Sequence, residues 1–193
     1  ILYGRDYYNE EILGLKFKVN AFSFFQTNIK AVERLYSEAL ALIPDPDDKI
    51  VYDLYCGTGT ISQLMASKAK KVYGVEIVQD SIDAAIDNAK MNGIDNCHFI
   101  CGDVKAKLDE VTEKPDMIVV DPPRMGMHDK VVEMLASYGI EQILYISCNP
   151  NTMAMNLEKF AELGYKPRVI KAYDNFAKTK HVESVTLLSR TTL

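Results

Sequence analysis

The sequence predicts an α/β fold built on a doubly wound, mainly parallel sheet of seven strands with a short N-terminal β appendage, and three observations carry that reading. From Lys49 onward, short apolar runs alternate with stretches of helical periodicity, the signature of βα units on a parallel sheet. Asp53-Leu-Tyr-Cys-Gly-Thr-Gly-Thr60 stands at the first strand-to-helix turn, where glycine lets the backbone turn tightly and approach a ligand. Acids and a cysteine then fall at the ends of successive strands, on the edge where open α/β sheets bind ligands.

Taken in order, the elements begin with Leu15, Phe17 and Val19 alternating with Lys16 and Lys18, a half-buried strand expected to pair with the opening segment Ile1–Tyr3. Residues 1–27 read as a β-hairpin appendage, and residues 28–193 as the unit that carries the chemistry. A helix is predicted over Asn28–Leu42, closed by Pro44. Strands are predicted over Ile50–Tyr55, Val72–Glu76, His98–Cys101, Met117–Val120 and Ile143–Ser147, with Lys166–Ala172 and Ser184–Ser189 completing the sheet. Ser81–Met91 is the clearest helix, because Ile82, Ala85, Ile86 and Ala89 share one face and Asn92-Gly93 stops it. Asn156–Leu163 similarly ends at Gly164.

A chain of 193 residues with 48% hydrophobic and 25% charged content suits one soluble domain. No apolar run approaches the roughly 20 residues of a membrane span, and the start lacks a signal-peptide pattern, so a cytoplasmic location is expected. Because the chain opens on Ile1 rather than methionine, a piece of something longer is expected. The net charge of −5 argues against a globally basic nucleic-acid binder, while leaving room for a local basic patch. Cys56, Cys97, Cys101 and Cys148 form no C-x-x-C pair, and His98, His128 and His181 lack zinc-site spacing, so neither a metal nor a disulfide framework is expected. Cys97 and Cys101 share one face of a strand and read as packing residues.

Tyr145-Ile-Ser-Cys-Asn-Pro150 is the most informative stretch: an apolar strand ends on a cysteine and turns directly into a helix, with Asn149 as cap and Pro150 at the first helical position. There the helix dipole favours a thiolate, so Cys148 is expected to be a poised nucleophile; a buried structural thiol is the alternative. Glu76 ends the second strand, where it can accept from ribose hydroxyls, and Asp103 ends the third, where it can accept from an adenine amino group. Asp121 opens Asp121-Pro-Pro-Arg-Met-Gly126 at the fourth. The third glycine of a dinucleotide fingerprint would fall at Ser62, so a pyrophosphate cradle is not supported. An antiparallel last strand would bring Glu183 to the same edge, beside Cys148. Phe22, Phe24 and Phe25 offer rings for base stacking or for the core, and His181 is an alternative base.

The order of glycine turn, ribose acid and adenine-side acid resembles the class I S-adenosylmethionine-dependent methyltransferases. With Phe24-Phe-Gln-Thr-Asn28, Gly74-Val-Glu76, Asp121-Pro-Pro-Arg, Ser147-Cys-Asn-Pro and His181-Val-Glu183 added, the chain resembles the RNA uracil-5 methyltransferase family over nearly its whole length. The resemblance implies methyl transfer from S-adenosylmethionine to C5 of a uridine in 23S rRNA or tRNA through a covalent cysteine–C6 adduct. Cys148 would be the nucleophile and Glu183 the base, with Gln26, Tyr55, Gly57, Gly59, Glu76, Asp103 and Asp121 on the cofactor side. Asp121 is open to a second role at the uracil edge. An RNA substrate, a monomer, and no metal or membrane partner are the accompanying expectations. Thr60 stands where some members have asparagine, Ala177 replaces a common proline, and the family's RNA-binding barrel and four-cysteine iron-sulfur cluster have no counterpart here. Two rivals are a nitrogen methyltransferase with a structural Cys148 and a catalytically silent nucleotide- or RNA-binding module.

Overall fold

Leu13 and Gly14, at φ 49° and 84°, form a two-residue turn whose left-handed backbone suits a tight hairpin. The computed structural model, which describes residues 4–20, 25–43 and 47–191, shows that hairpin as β1 (Tyr7–Ile12) paired antiparallel with β2 (Leu15–Asn20). The partner of β2 is therefore Tyr7–Ile12, and the expected partner Ile1–Tyr3 lies outside the described residues. Among β1 residues only Ile12 is buried, so turn geometry and partner set this strand rather than its own hydrophobicity. The next element, α1 (Ile29–Leu40), is capped by Asn28, whose side chain accepts from Ala31 N; Pro44, the expected stop, lies outside the described residues.

The main sheet contains β3 (Ile50–Leu54), β4 (Lys71–Glu76), β5 (Cys97–Cys101), β6 (Met117–Val120), β7 (Gln142–Ser147), β8 (Tyr165–Tyr173) and β9 (Glu183–Arg190). Its order is β5-β4-β3-β6-β7-β9-β8, parallel except that β9 runs antiparallel to both neighbours. Strand order reverses between β3 and β6, which opens a ligand crevice at their carboxyl ends. The intervening helices are α2 (Thr60–Ala66), α3 (Gln79–Met91), α4 (Val104–Leu108), α5 (Asp129–Ser137) and α6 (Pro150–Glu162).

Period-two alternation divides the sheet between two cores. Val51, Val119, Leu144, Ile146, Val185 and Leu187 face α1, α2 and the hairpin residues Ile12, Phe17 and Val19. Tyr52, Leu54, Ile118, Val120, Tyr145 and Leu188 face the opposite layer, with Leu108, Leu135 and Phe160 from α4, α5 and α6. The outer edge of β2 is covered by α3: Asn92 exchanges two hydrogen bonds with Lys16 N and O at 2.9 Å each, and Asn88 Oδ1 accepts from Lys18 N at 2.8 Å. Two amide side chains thus satisfy a strand edge that would otherwise be open to pairing.

Most boundaries lie within two residues of those the sequence predicts, and local geometry accounts for the informative ones. β3 stops at Leu54 because Tyr55 adopts the left-handed region at φ 65°. α3 begins at Gln79, with Asp80 in its positively polarised first turn. α6 begins at Pro150 with Asn149 as its cap, as that dipeptide predicts, and the Asn156–Leu163 stretch is the second half of the same helix. Among the described residues no helix is long and apolar enough to cross a membrane, and no cluster of three metal-binding side chains occurs.

Candidate active site at the strand carboxyl edge

The glycine turn is built where the sheet order reverses. Tyr55 N and Cys56 N both donate to Val75 O, at 2.8 and 3.1 Å, which bends the chain away from β3. Gly57 and Gly59 take φ values of 53° and 75°, and Gly59 is the N-cap of α2. Glu76 is pinned here: one carboxylate oxygen accepts from Gly57 N at 3.2 Å and the other from Val78 N at 3.0 Å. Just past it, Ile77 and Val78 present apolar side chains to solvent, 66% and 50% exposed. Asp103 lies in the same corner, capping α4 through Ala106 N at 3.1 Å; burial first and its charge second push the Tyr55 phenol up to about 12. Beneath the turn Ser62 donates to Asp53 Oδ2 at 2.5 Å, whereas Asp53 Oδ1 is buried without a partner among the described residues. Burial pushes Asp53 up to about 7.

The second half of the site is where β7 meets β9. The register ends by pairing Ser147 with Ser184, so Cys148, the first residue past β7, and Glu183, the first of β9, come together at this end, where the Glu183 carboxyl acts on the thiol. The antiparallel direction of β9 is what brings together residues so distant in sequence. Ser147 Oγ spans Cys148 by accepting from Asn149 N and donating to Asn149 O, both at 3.1 Å. Asp121 sits at the end of β6, its N–H donating to Leu54 O at 3.2 Å. Arg124 reaches across the mouth, its guanidinium 2.9 Å from His181 Nδ1.

Electrostatics here reverse one expectation. Burial, followed by the carboxyl groups of Glu183 and Asp121, raises the Cys148 thiol above its ordinary range, and Arg124 opposes this only in part. Desolvation and two neighbouring acids thus work against a resting thiolate at Cys148. Burial also raises Glu183, which is 6% exposed, and pushes Asp121 up to about 8 with help from Glu183 and Asp53. Iodoacetamide labelling of Cys148 is therefore expected to be slower at pH 7.5 than that of a free thiol, and to climb without a plateau through pH 9. Arg124→Ala should slow it further, as the one opposing cation is lost; a plateau below pH 7, read by peptide mass mapping, would contradict this.

Gln26 is partly buried and hydrogen-bonds the buried phenol of Tyr36, which carries the Coulombic influence of Asp121, Asp53 and Glu183. Asn28 Nδ2 donates to Asn175 O at 2.8 Å, tying the Gln26 segment to the loop that leads into Glu183. Phe25 is buried with its ring 5.8 Å from that of Phe17, a core role; Phe22 and Phe24 lie outside the described residues. Cys97 and Cys101 lie on β5 as partly buried free thiols.

Tyr36, Arg124 and Asn156 are site residues that the sequence reading did not assign. Arg124 carried a signal in its Asp-Pro-Pro-Arg context, whereas Tyr36 reads only as part of an amphipathic helix. Asn156 is buried in α6 and holds the loop after Asp121: its Oδ1 accepts from Met127 N at 2.9 Å and Tyr145 OH at 2.8 Å, and its Nδ2 donates to Met127 O at 2.8 Å. Asn156→Leu leaves three buried polar groups unpaired, and is expected to cost about 3 kcal/mol in urea unfolding. Asn151→Leu, at an exposed position of the same helix, should stay within about 0.5 kcal/mol.

Comparisons with known proteins agree on the kind of molecule. The model of the tRNA (uracil-5-)-methyltransferase family matches residues 3–113 and 105–191. An uncharacterised RNA methyltransferase of Caldanaerobacter subterraneus subsp. tengcongensis is 50% identical over 190 residues, covering 98% of this chain and 42% of that protein. One from Clostridium tetani is 48% identical over the same length, with the same coverage. The chain thus spans about two fifths of the length of these relatives. The crystal structure of Pyrococcus abyssi tRNA (uracil-54, C5)-methyltransferase in complex with S-adenosyl-L-homocysteine superposes with a TM-score of 0.82 at 31% identity, covering 96% of this chain and 45% of that one.

Proposed function

Because this chain belongs to the tRNA (uracil-5-)-methyltransferase family, we propose that it is the catalytic part of an enzyme that moves a methyl group from S-adenosylmethionine to C5 of a uridine in tRNA or 23S rRNA. The observation that carries the reading is the placement of Cys148 beside Glu183, just past the last β7–β9 pair, Ser147 with Ser184, and close enough for the Glu183 carboxyl to raise the Cys148 thiol. A nitrogen methyltransferase needs neither residue, whereas carbon methylation of uracil needs both. C5 of uracil becomes nucleophilic only after addition at C6, and the C5 proton must then leave.

The glycine corner fits the cofactor. Glu76 faces the turn as an acceptor for ribose hydroxyls, Ile77 and Val78 offer an apolar ledge for a purine, and Asp53 Oδ1 is a buried acceptor without a partner among the described residues. Tyr55, Gly57, Gly59 and Asp103 complete that corner, with Gln26 on the side of Tyr36. Ser62 stands where a pyrophosphate cradle would need glycine. When bound, the cofactor supplies an electrophilic methyl group.

In the reaction this reading implies, Cys148 would release its proton to solvent and add through Sγ to C6, and the negative charge would spread from C5 to O4. C5 takes the methyl group, Glu183 removes the C5 proton, and the C5–C6 double bond re-forms as the thiolate leaves. Asp121, held protonated near neutrality, is suited to donate a hydrogen bond to the uracil edge, which favours that role over a cofactor contact. Arg124 offsets negative charge beside the thiol.

The test is mass mapping of RNA from a strain lacking the full-length protein, followed by restoration in vitro with that protein and S-adenosylmethionine. One uridine should lose and then regain a methyl group on C5. A methyl group found on nitrogen, or none at all, would overturn the reading.

A further inference from the structure

Met125 is 82% exposed, the most exposed of the large hydrophobic side chains among the described residues. A single apolar side chain in solvent needs no explanation by itself. Its mounting does, because the backbone on both sides of it is braced. Pro123 O accepts from Gly126 N at 2.8 Å, closing a tight turn with Arg124 and Met125 at its tip. Arg124 O accepts from Asn149 Nδ2 at 2.9 Å and Thr152 Oγ1 at 3.1 Å. Met127 is clamped through N and O by the buried Asn156. Gly126 sits at φ 74°, and a Cβ there would come within 2.9 Å of Asn156 Oδ1 and 3.1 Å of Thr152 Cβ, so the base of this turn already lies against α6 while its tip stands clear.

The turn also stands at the mouth of the site. Arg124 spans to His181, and Asn149, which holds Arg124 O, is the neighbour of Cys148. An unbranched apolar side chain is thus carried into water on a braced backbone, one residue from Arg124, which contacts His181 and whose charge reaches Cys148. A base that reaches Cys148 must first leave its stack, and the gap it leaves favours an apolar side chain over water.

We propose that Met125 is a wedge: its side chain enters the RNA base stack where the target uridine was, and holds the strand open while the uracil occupies the pocket. Methionine suits the task, since its flexible thioether fits irregular gaps and packs on aromatic faces. The proposal rests on the uridine reading above and assigns how that substrate is admitted. Met125 touches no reacting atom and acts as a positioning residue.

The experiment uses the full-length protein with a transcribed stem-loop carrying the mapped uridine, and a twin in which the two flanking nucleotides are abasic, so that the uridine is already unstacked. Single-turnover methylation by Met125→Ala should be about tenfold slower on the stacked RNA and equal to wild type on the abasic twin. Met125→Leu should restore most of the rate, and S-adenosylmethionine affinity by calorimetry should not change. Equal slowing on both RNAs, or no slowing on the stacked one, overturns the wedge. A wild-type protein that methylates neither RNA overturns the uridine reading and the wedge with it.

Discussion

The Glu183→Gln protein is expected to accumulate a methylated covalent adduct with RNA, whereas Cys148→Ala is expected to form none. The opposite outcomes follow from position. Cys148 directly follows β7 and is the one thiol at this mouth; Cys56 is buried in the glycine turn, and Cys97 and Cys101 lie on the far edge strand β5. Glu183 is buried beside Cys148, and glutamine keeps its shape while losing its basicity. Addition and methyl transfer then proceed, elimination stalls, and turnover should fall by about 10³-fold or more while the adduct persists on denaturing gels and in intact-mass spectra.

His181 is the competing base, and the structure gives it other work. Its Nδ1 lies 2.9 Å from the Arg124 guanidinium, a contact that engages this nitrogen. His181→Ala should therefore slow the reaction by loosening Arg124, without trapping an adduct. If instead His181→Ala trapped the adduct and Glu183→Gln turned over, the base would be His181. An adduct that survived in Cys148→Ala would remove the covalent mechanism.

How much of this was legible in sequence depended on whether the determining forces are local. The alternation of apolar runs, the Asn149–Pro150 helix start and the glycine turn are short-range signals, and they placed the sheet, α6 and the switch point. The antiparallel β9 was legible only as a condition, because nothing within Glu183–Arg190 encodes direction; pairing with β7 and β8 decides it. β1 was missed because a strand covered on one side by its partner and on the other by solvent needs little hydrophobic pattern of its own. Among the site residues, the acids and Cys148 announced themselves by lying at strand ends. Tyr36 and Asn156 did not, because a buried polar side chain on an amphipathic helix reads as surface until its partners are known. The raised Cys148 thiol was misread for a related reason. The helix that follows is visible in sequence, whereas the two carboxyl groups arrive from β6 and β9 and only the fold brings them near.

Gly59→Ala is expected to cost about 3 kcal/mol of stability and at least about tenfold in S-adenosylmethionine affinity. Two costs add. A non-glycine residue at φ 75° pays about 1 kcal/mol for the left-handed conformation. The new Cβ would also stand 2.8 Å from the Phe99 ring and 2.9 Å from Ala85 Cβ, an overlap that costs a further 1–3 kcal/mol or so unless the turn moves. Movement is what reaches the cofactor corner, since Gly57 N, two residues earlier, holds Glu76 in place. Gly57→Ala is the control: at φ 53° with nothing within 4 Å of its Cβ position, it should pay the conformational cost alone, about 1 kcal/mol. Phe99→Leu removes the ring that the new methyl group would strike, so the double variant should recover about half of the Gly59→Ala loss in urea unfolding, and a matching part of the affinity by calorimetry. Strict additivity of the two substitutions would show that the ring contact does not position the turn, leaving backbone conformation as the sole reason glycine is required at this position.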